Sequence, residues 1–386
     1  MKKKFTVGML AFASAAVLAA CGAAPSASGS AGAGTEVGDT LKIGFNFELS
    51  GNTAAYGSAE KNAADLAVEE LKAAGKKLEV VSQDNKSDNA EAATVATKLA
   101  TEEKVNVMIG PATSGATAAA VPNATSAGVP LITPSGTQDS LTEGAGGKVN
   151  EFVFRTTFID SYQGAVLSNY VTNTLKAKKV VLYYDNSSDY SKGIADVFKE
   201  NYKGNIVIEE MFAAKDTDFQ AALSKIKAAD YEVIVMPGYY EEAGSIIKQA
   251  REMGIDKTIV SSDGFADSRM IELAGADNVD NVFYISGFSA KSSDKAAAFA
   301  KAYEAKYGEA PSMFAALAYD AVYLAVEAAE DAKTSKDIAA NLAKVKDFEG
   351  VTGKMTIDEK HNPVKSAVMI GLTDGKETSS TVVEAK

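Results

Sequence analysis

The 386-residue chain carries 39 Lys and Arg against 51 Asp and Glu, a formal net charge of −12, with 46% apolar residues and no Trp. That acidic balance argues against nucleic acid as a partner, while a single Cys and a single His, Cys21 and His361, exclude disulfides and the usual Cys/His zinc sites. The length suits two lobes better than one hydrophobic core.

Lys2, Lys3 and Lys4 precede an apolar run, Phe5 to Ala20, that is too short to span a bilayer comfortably and ends in Leu18-Ala19-Ala20-Cys21. This reads as a lipoprotein signal peptide over residues 1–20. Cleavage would leave Cys21 as a lipidated N-terminus, exporting the protein and tethering it to the extracytoplasmic face of the cell membrane. Residues 21–40 are mostly Ala, Ser and Gly, a composition that predicts a flexible linker. No later segment is apolar enough to cross a membrane.

From Leu41 onward, short β-branched runs alternate with Ala-rich helical stretches, the pattern of an α/β fold with parallel sheets. Strands are expected at Leu41 to Phe47, Leu78 to Gln83, Val105 to Gly110, Pro130 to Thr133, Lys179 to Tyr184, Asn205 to Met211, Tyr231 to Met236, Thr258 to Ser261 and Asn281 to Ile285. Helical spacing fills most of the gaps, from Glu60 to Ala74 through Met313 to Ala329. Phe152-Val153-Phe154-Arg155-Thr156-Thr157 reads as a connector between the two groups of strands. The expected architecture is two doubly wound, Rossmann-like lobes: residues 41–156 with 287–352, and residues 157–286 with 353–386. They would be joined by a hinge of three crossings, the third near Val351 to Ile357.

In such sheets a ligand sits beyond the C-terminal ends of the strands. Ser114, with small neighbours at a helix start, could face a carboxylate, or it could simply be a helix cap along with Thr113. The turn Thr133-Pro134-Ser135-Gly136-Thr137 could serve both an ammonium and a carboxylate, or be an ordinary turn. Tyr56, Tyr190, Tyr239 and Phe314 fall where aromatic rings could cover a small apolar group or pack lobe against lobe. Asp263, between a strand and Gly264, could meet a ligand ammonium or form an Asx-turn. Catalysis fits these loops poorly. The sole His lies in the polar turn Asp358-Glu359-Lys360-His361, no phosphate-binding Gly-rich motif occurs, and Asp139, Asp185 and Asp263 are too scattered to hold a metal.

Leu49-Ser50-Gly51 with Tyr56-Gly57, Ile109-Gly110-Pro111 with Ser114, Leu131-Ile132-Thr133-Pro134 with Thr137, Phe154-Arg155-Thr156-Thr157, Asp185 with Tyr190, and Gly238-Tyr239 occur in an order and spacing that resemble the leucine/isoleucine/valine-binding proteins of ABC importers. These belong to the type I periplasmic-binding-protein fold. The resemblance implies a monomeric receptor without enzymatic activity, cofactor or metal, which captures leucine, isoleucine or valine between its lobes and delivers it to a membrane permease. It implies that Ser114, Ser135, Gly136 and Thr137 hold the ligand carboxylate and part of its ammonium. Tyr239 and Asp263 would complete the ammonium site, and Tyr56, Tyr190 and Phe314 would line or close the side-chain pocket. Asp263 stands where these relatives typically carry Glu, and Pro111-Ala112-Thr113 replaces the surroundings of a disulfide found in some of them. A receptor of the same fold for another small amino acid or amide, a lipoprotein hydrolase, and a structural surface lipoprotein are the alternatives.

Overall fold

The computed structural model describes residues 32–384, so the segment expected to be a signal peptide, residues 1–20, and Cys21 lie outside the described residues. In chain order the strands are β1 (Leu41–Phe47), β2 (Leu78–Asp84), β3 (Val107–Ile109), β4 (Leu131–Thr133), β5 (Val153–Arg155), β6 (Lys179–Asp185), β7 (Asn205–Phe212), β8 (Val233–Val235), β9 (Thr258–Ser261), β10 (Val282–Ser286), β11 (Phe348–Gly350), β12 (Gly353–Ile357), β13 (Pro363–Val364), β14 (Ala367–Thr373) and β15 (Lys376–Val383). The helices are α1 (Ala54–Ala73), α2 (Asn89–Thr101), α3 (Ser114–Ala127), α4 (Asp160–Asn169), α5 (Asp189–Asn201), α6 (Gln220–Ala228), α7 (Tyr240–Glu252), α8 (Ser268–Ala274), α9 (Asp294–Tyr307), α10 (Met313–Ala328) and α11 (Ser335–Leu342).

The first sheet is wholly parallel in the order β2-β1-β3-β4-β5. The second repeats that order with β7-β6-β8-β9-β10, then adds β14 and β15 antiparallel at one edge. Helices cover both faces of the first sheet, which is why its central strands are almost continuously buried and apolar rather than alternating. After β10 the chain returns to the first lobe, where α10 packs on α1 and on β3 and β4.

Three regions differ from the sequence expectation. Val153–Arg155, read as connector, is instead the fifth strand of the first sheet and fully buried; three residues are too few to display a period. Residues 348–364 form a separate three-stranded sheet, β11-β12-β13, so the chain enters the second sheet at Ala367. Within the segment expected as linker, the N–H of Gly32 donates to Ser126 O (2.8 Å), the N–H of Thr35 to Ser335 Oγ (2.9 Å) and the N–H of Val37 to Lys333 O (2.9 Å). These contacts dock residues 32–37 on the first lobe, at the end of the sheet remote from the strands' C-termini.

Candidate functional site

At the C-terminal ends of both sheets, loops from the two lobes meet around a narrow cavity. Tyr56, Ser114, Ser135, Thr137, Tyr190, Tyr239, Asp263 and Phe314 line it, together with Ala112, Thr113 and Gly264. Of the residues singled out in the sequence for ligand binding, Gly136 alone is not in the lining. It sits just behind, where an added Cβ would come within 2.6 Å of Thr133 Oγ1.

The first bank is built by Glu48. This buried side chain at the end of β1 accepts from the N–H of Ala112 (3.0 Å), the N–H of Thr113 (3.0 Å) and Thr113 Oγ1 (2.9 Å). Burial raises its pKa against the pull of these bonds. The loop before α3 is thereby fixed, and Thr113, the N-cap residue, makes no side-chain cap. Ser114 does not cap either. Its Oγ accepts from the N–H of Thr137 (3.1 Å) and the N–H of Gln138 (3.1 Å). A hydroxyl has two lone pairs and one hydrogen, so Ser114 is left as a donor at the cavity wall, at the positive end of a helix. The Thr137 hydroxyl is buried without a hydrogen-bond partner. Ser135 differs: its hydroxyl is engaged with Glu60 Oε1 and the Ala112 carbonyl inside the first lobe, leaving its backbone rather than its side chain to serve a ligand. Burial holds the Glu60 carboxyl well above the usual carboxylate range.

The second bank carries the acid. Asp263, 2% exposed, accepts from the Tyr190 hydroxyl at 2.6 Å, and no Lys or Arg is bonded to it among the described residues. Burial pushes its pKa up to about 6, against the hydrogen bond from Tyr190. The Tyr190 hydroxyl also accepts from the N–H of Gly264 (2.9 Å). Gly264 has no room for a side chain, because a Cβ would lie 2.2 Å from Gly238 O. The rings form a continuous wall: Tyr190 stacks on Tyr239 (centroids 4.9 Å apart), Tyr239 meets Tyr56 edge-on (5.8 Å), and Tyr56 stacks on Phe314 (4.1 Å).

Tyr56 lies in the first turn of α1, one turn earlier than the expected helix start, and serves two purposes. Its ring lines the cavity. Its hydroxyl donates to Gly264 O (2.6 Å) and accepts from the N–H of Tyr240 (3.0 Å), both on the other lobe, so its hydrogen-bonding capacity is spent joining the lobes.

One residue escaped the sequence reading. Asp160, the first residue of α4, is buried with both carboxylate oxygens unpartnered, and its N–H donates to Thr137 O (2.9 Å). Burial holds its carboxyl well above the usual range, opposed by the nearby Thr137 hydroxyl and Arg155 and reinforced by Asp263 and Asp139. An Asp at a helix start looks like a cap, which conceals it, yet here it caps nothing. Nearby Arg155 is buried and donates to Gly136 O (2.9 Å), Gln138 O (2.9 Å) and Thr142 Oγ1 (3.2 Å), bracing the turn that presents Thr137. His361 is elsewhere, stacked on Phe154 with centroids 4.2 Å apart. Among the described residues no group of three or more His, Cys, Asp or Glu is placed to hold a metal.

Residues 40–377 match the family described as periplasmic binding protein. The "Leucine-, isoleucine-, valine-, threonine-, and alanine-binding protein" of Pseudomonas aeruginosa is 28% identical over 330 residues, 83% of this chain and 87% of that one. A crystal structure of the branched-chain amino acid transporter substrate-binding protein LivJ from Streptococcus pneumoniae in complex with isoleucine is 57% identical, with a TM-score of 0.87 over 89% of this chain and 99% of that one. The leucine-binding protein LivK from Thermotoga maritima is 30% identical, with a TM-score of 0.83 over the same shares, 89% and 99%.

Proposed function

The chain belongs to the periplasmic binding protein family of transporter receptors, which are not enzymes, and from that premise we propose that it captures leucine, isoleucine and valine between its lobes and hands them to an ABC importer. The observation that carries the reading is the division of the cavity. Neutral donors, Ser114, Thr137 and the first-turn amides of α3, stand on one bank, and Asp263, without a cationic partner among the described residues, stands on the other. A zwitterion supplies what each lacks: a carboxylate for the donors and an ammonium for the acid. Asp160, behind the cavity lining, adds a second acid whose charge is felt at Asp263. The aromatic wall then covers an aliphatic side chain of limited size.

The ligand stabilises the closed arrangement because it touches both lobes at once. One missing methylene in such a pocket costs about 1–3 kcal/mol, so the three branched-chain amino acids are all accommodated. On this reading Cys21 carries lipid and holds the receptor outside the membrane; among the described residues no helix is long and apolar enough to cross one. Mass spectrometry of small molecules released from the purified protein tests the proposal: a branched-chain amino acid supports it, and an amide lacking an α-ammonium, or an aromatic acid, refutes the assigned substrate. Melting curves across an amino-acid panel give a second check. No ligand-dependent rise for leucine, isoleucine or valine contradicts the reading.

A further inference from the structure

Away from the cavity, a chain of polar contacts runs through the hinge. Asp320, on α10 of the first lobe, is buried and accepts from the N–H of Val351 (2.7 Å), the N–H of Thr352 (2.9 Å) and Thr352 Oγ1 (2.6 Å). Thr352 Oγ1 in turn accepts from Lys365 Nζ at 2.7 Å, and the same ammonium donates to Thr156 O at 3.0 Å. The path is ammonium to hydroxyl to carboxylate. It fits tightly: a Cβ on Gly350 would stand 2.3 Å from Asp320 Oδ2.

The placement of the ends gives the cluster its meaning. Thr156 directly follows β5, where the chain leaves the first sheet, and its Oγ1 donates to Leu317 O of α10 (3.0 Å). Lys365 lies between β13 and β14, where the chain enters the second sheet. As a residue Lys365 is part-buried; its ammonium is the enclosed end, and burial brings its pKa down to about 8, with Asp320 opposing the shift. None of these residues lines the cavity. A buried charge pair rarely adds stability over apolar packing, and its best-attested use is to specify one geometry.

We propose that Lys365 is a positioning residue that pins the third hinge crossing to the first through Thr156 and to α10 through Thr352 and Asp320, so that both crossings turn together when the lobes close. Because the pin touches no ligand, its loss lowers the population of the binding-competent closed form and weakens every ligand by the same factor.

The test uses the full chain with Lys365→Met and Thr352→Val, and Lys365→Arg as the conservative exchange. Calorimetry with isoleucine, leucine and valine is expected to show a common loss of roughly tenfold in the first two variants, with the ratios among ligands unchanged, and substantial recovery with Arg. Hydrogen–deuterium exchange is expected to accelerate at residues 157–159 and 366–367 while the β1 amides keep their protection. Thr352→Val carries the test if Lys365→Met does not fold. The calorimetric arm rests on the receptor function proposed above; if wild-type protein binds none of the three ligands, that function fails, and the exchange measurement on ligand-free protein still decides the pin. A lower melting temperature with unchanged affinities and unchanged exchange at the crossings overturns the proposal, as does an affinity loss confined to one ligand.

Discussion

The two banks of the cavity are built on the same strand order yet presented with opposite chemistry. On the first lobe the polar groups are neutral donors held by a dense internal network: Glu48 fixes the loop before α3, and Ser114 takes two backbone N–H groups so that its own hydrogen is spare. On the far side an acid is buried without a counter-charge among the described residues, and the start of α4 adds a second acid, Asp160. The donor bank is redundant at Ser114, since the first-turn amides of α3 stand beside its hydroxyl. The acidic bank has no backbone support of that kind, because an amide N–H cannot replace a carboxylate facing an ammonium.

That asymmetry orders the expected effects of substitution. Asp263→Asn is expected to weaken isoleucine binding most, by about 2–5 kcal/mol, the usual cost of removing one member of a buried charge pair. Calorimetry checks it, and an unchanged affinity would make Asp263 a mere turn residue. Asp160→Asn follows at about 1–3 kcal/mol, with the ligand ammonium still facing Asp263. Tyr56→Phe removes two bonds between lobes while keeping the ring, and should cost about 1–2 kcal/mol for all three amino acids alike. A loss for one ligand only would turn Tyr56 from a clasp into a selectivity residue. Ser114→Ala comes last at about 0.5–1.5 kcal/mol, because the amides of α3 remain. If Ser114→Ala cost more than Asp263→Asn, the comparison of the banks would be reversed.

The acid bank also predicts a pH dependence. Burial raises the folded pKa of Asp263 from 3.8 to about 6, so the protonated form favours the unliganded fold, and that contribution is lost as pH rises through 6. A bound ammonium favours the ionised form instead. The ligand-induced rise in melting temperature should therefore be largest above pH 6 and shrink as Asp263 takes up its proton below it. A rise that is flat across pH 5 to 7, in steps of about one unit, would dissociate Asp263 from the ligand.

The sequence made the framework and most of the site readable because both depend on strand ends and turns. Pro111, Pro134, Gly238 and Gly264 mark where strands stop, and the loops there proved to share one cavity. What escaped depends on tertiary context. β15, Lys376–Val383, is exposed along nearly its whole length and shows no apolar alternation, so nothing local announces an edge strand. Asp160 resembles a helix cap until both its oxygens are seen to be unpartnered. The committed hydroxyl of Ser135 could not be foreseen, because Glu60 approaches it from 75 positions away in the chain. Likewise the Tyr56 hydroxyl finds its partners 184 and 208 positions distant, across the cleft.

The claim that a zwitterion bridges the banks is tested most directly by comparing isoleucine with its deaminated counterpart, 3-methylpentanoate, in titration calorimetry at neutral pH. The two share the carboxylate and the aliphatic group and differ at the ammonium. Isoleucine is predicted to bind at least about a hundredfold more tightly, an advantage of about 2.7 kcal/mol. Equal affinity for the two would contradict the account, since the buried acids would then have no part in recognition.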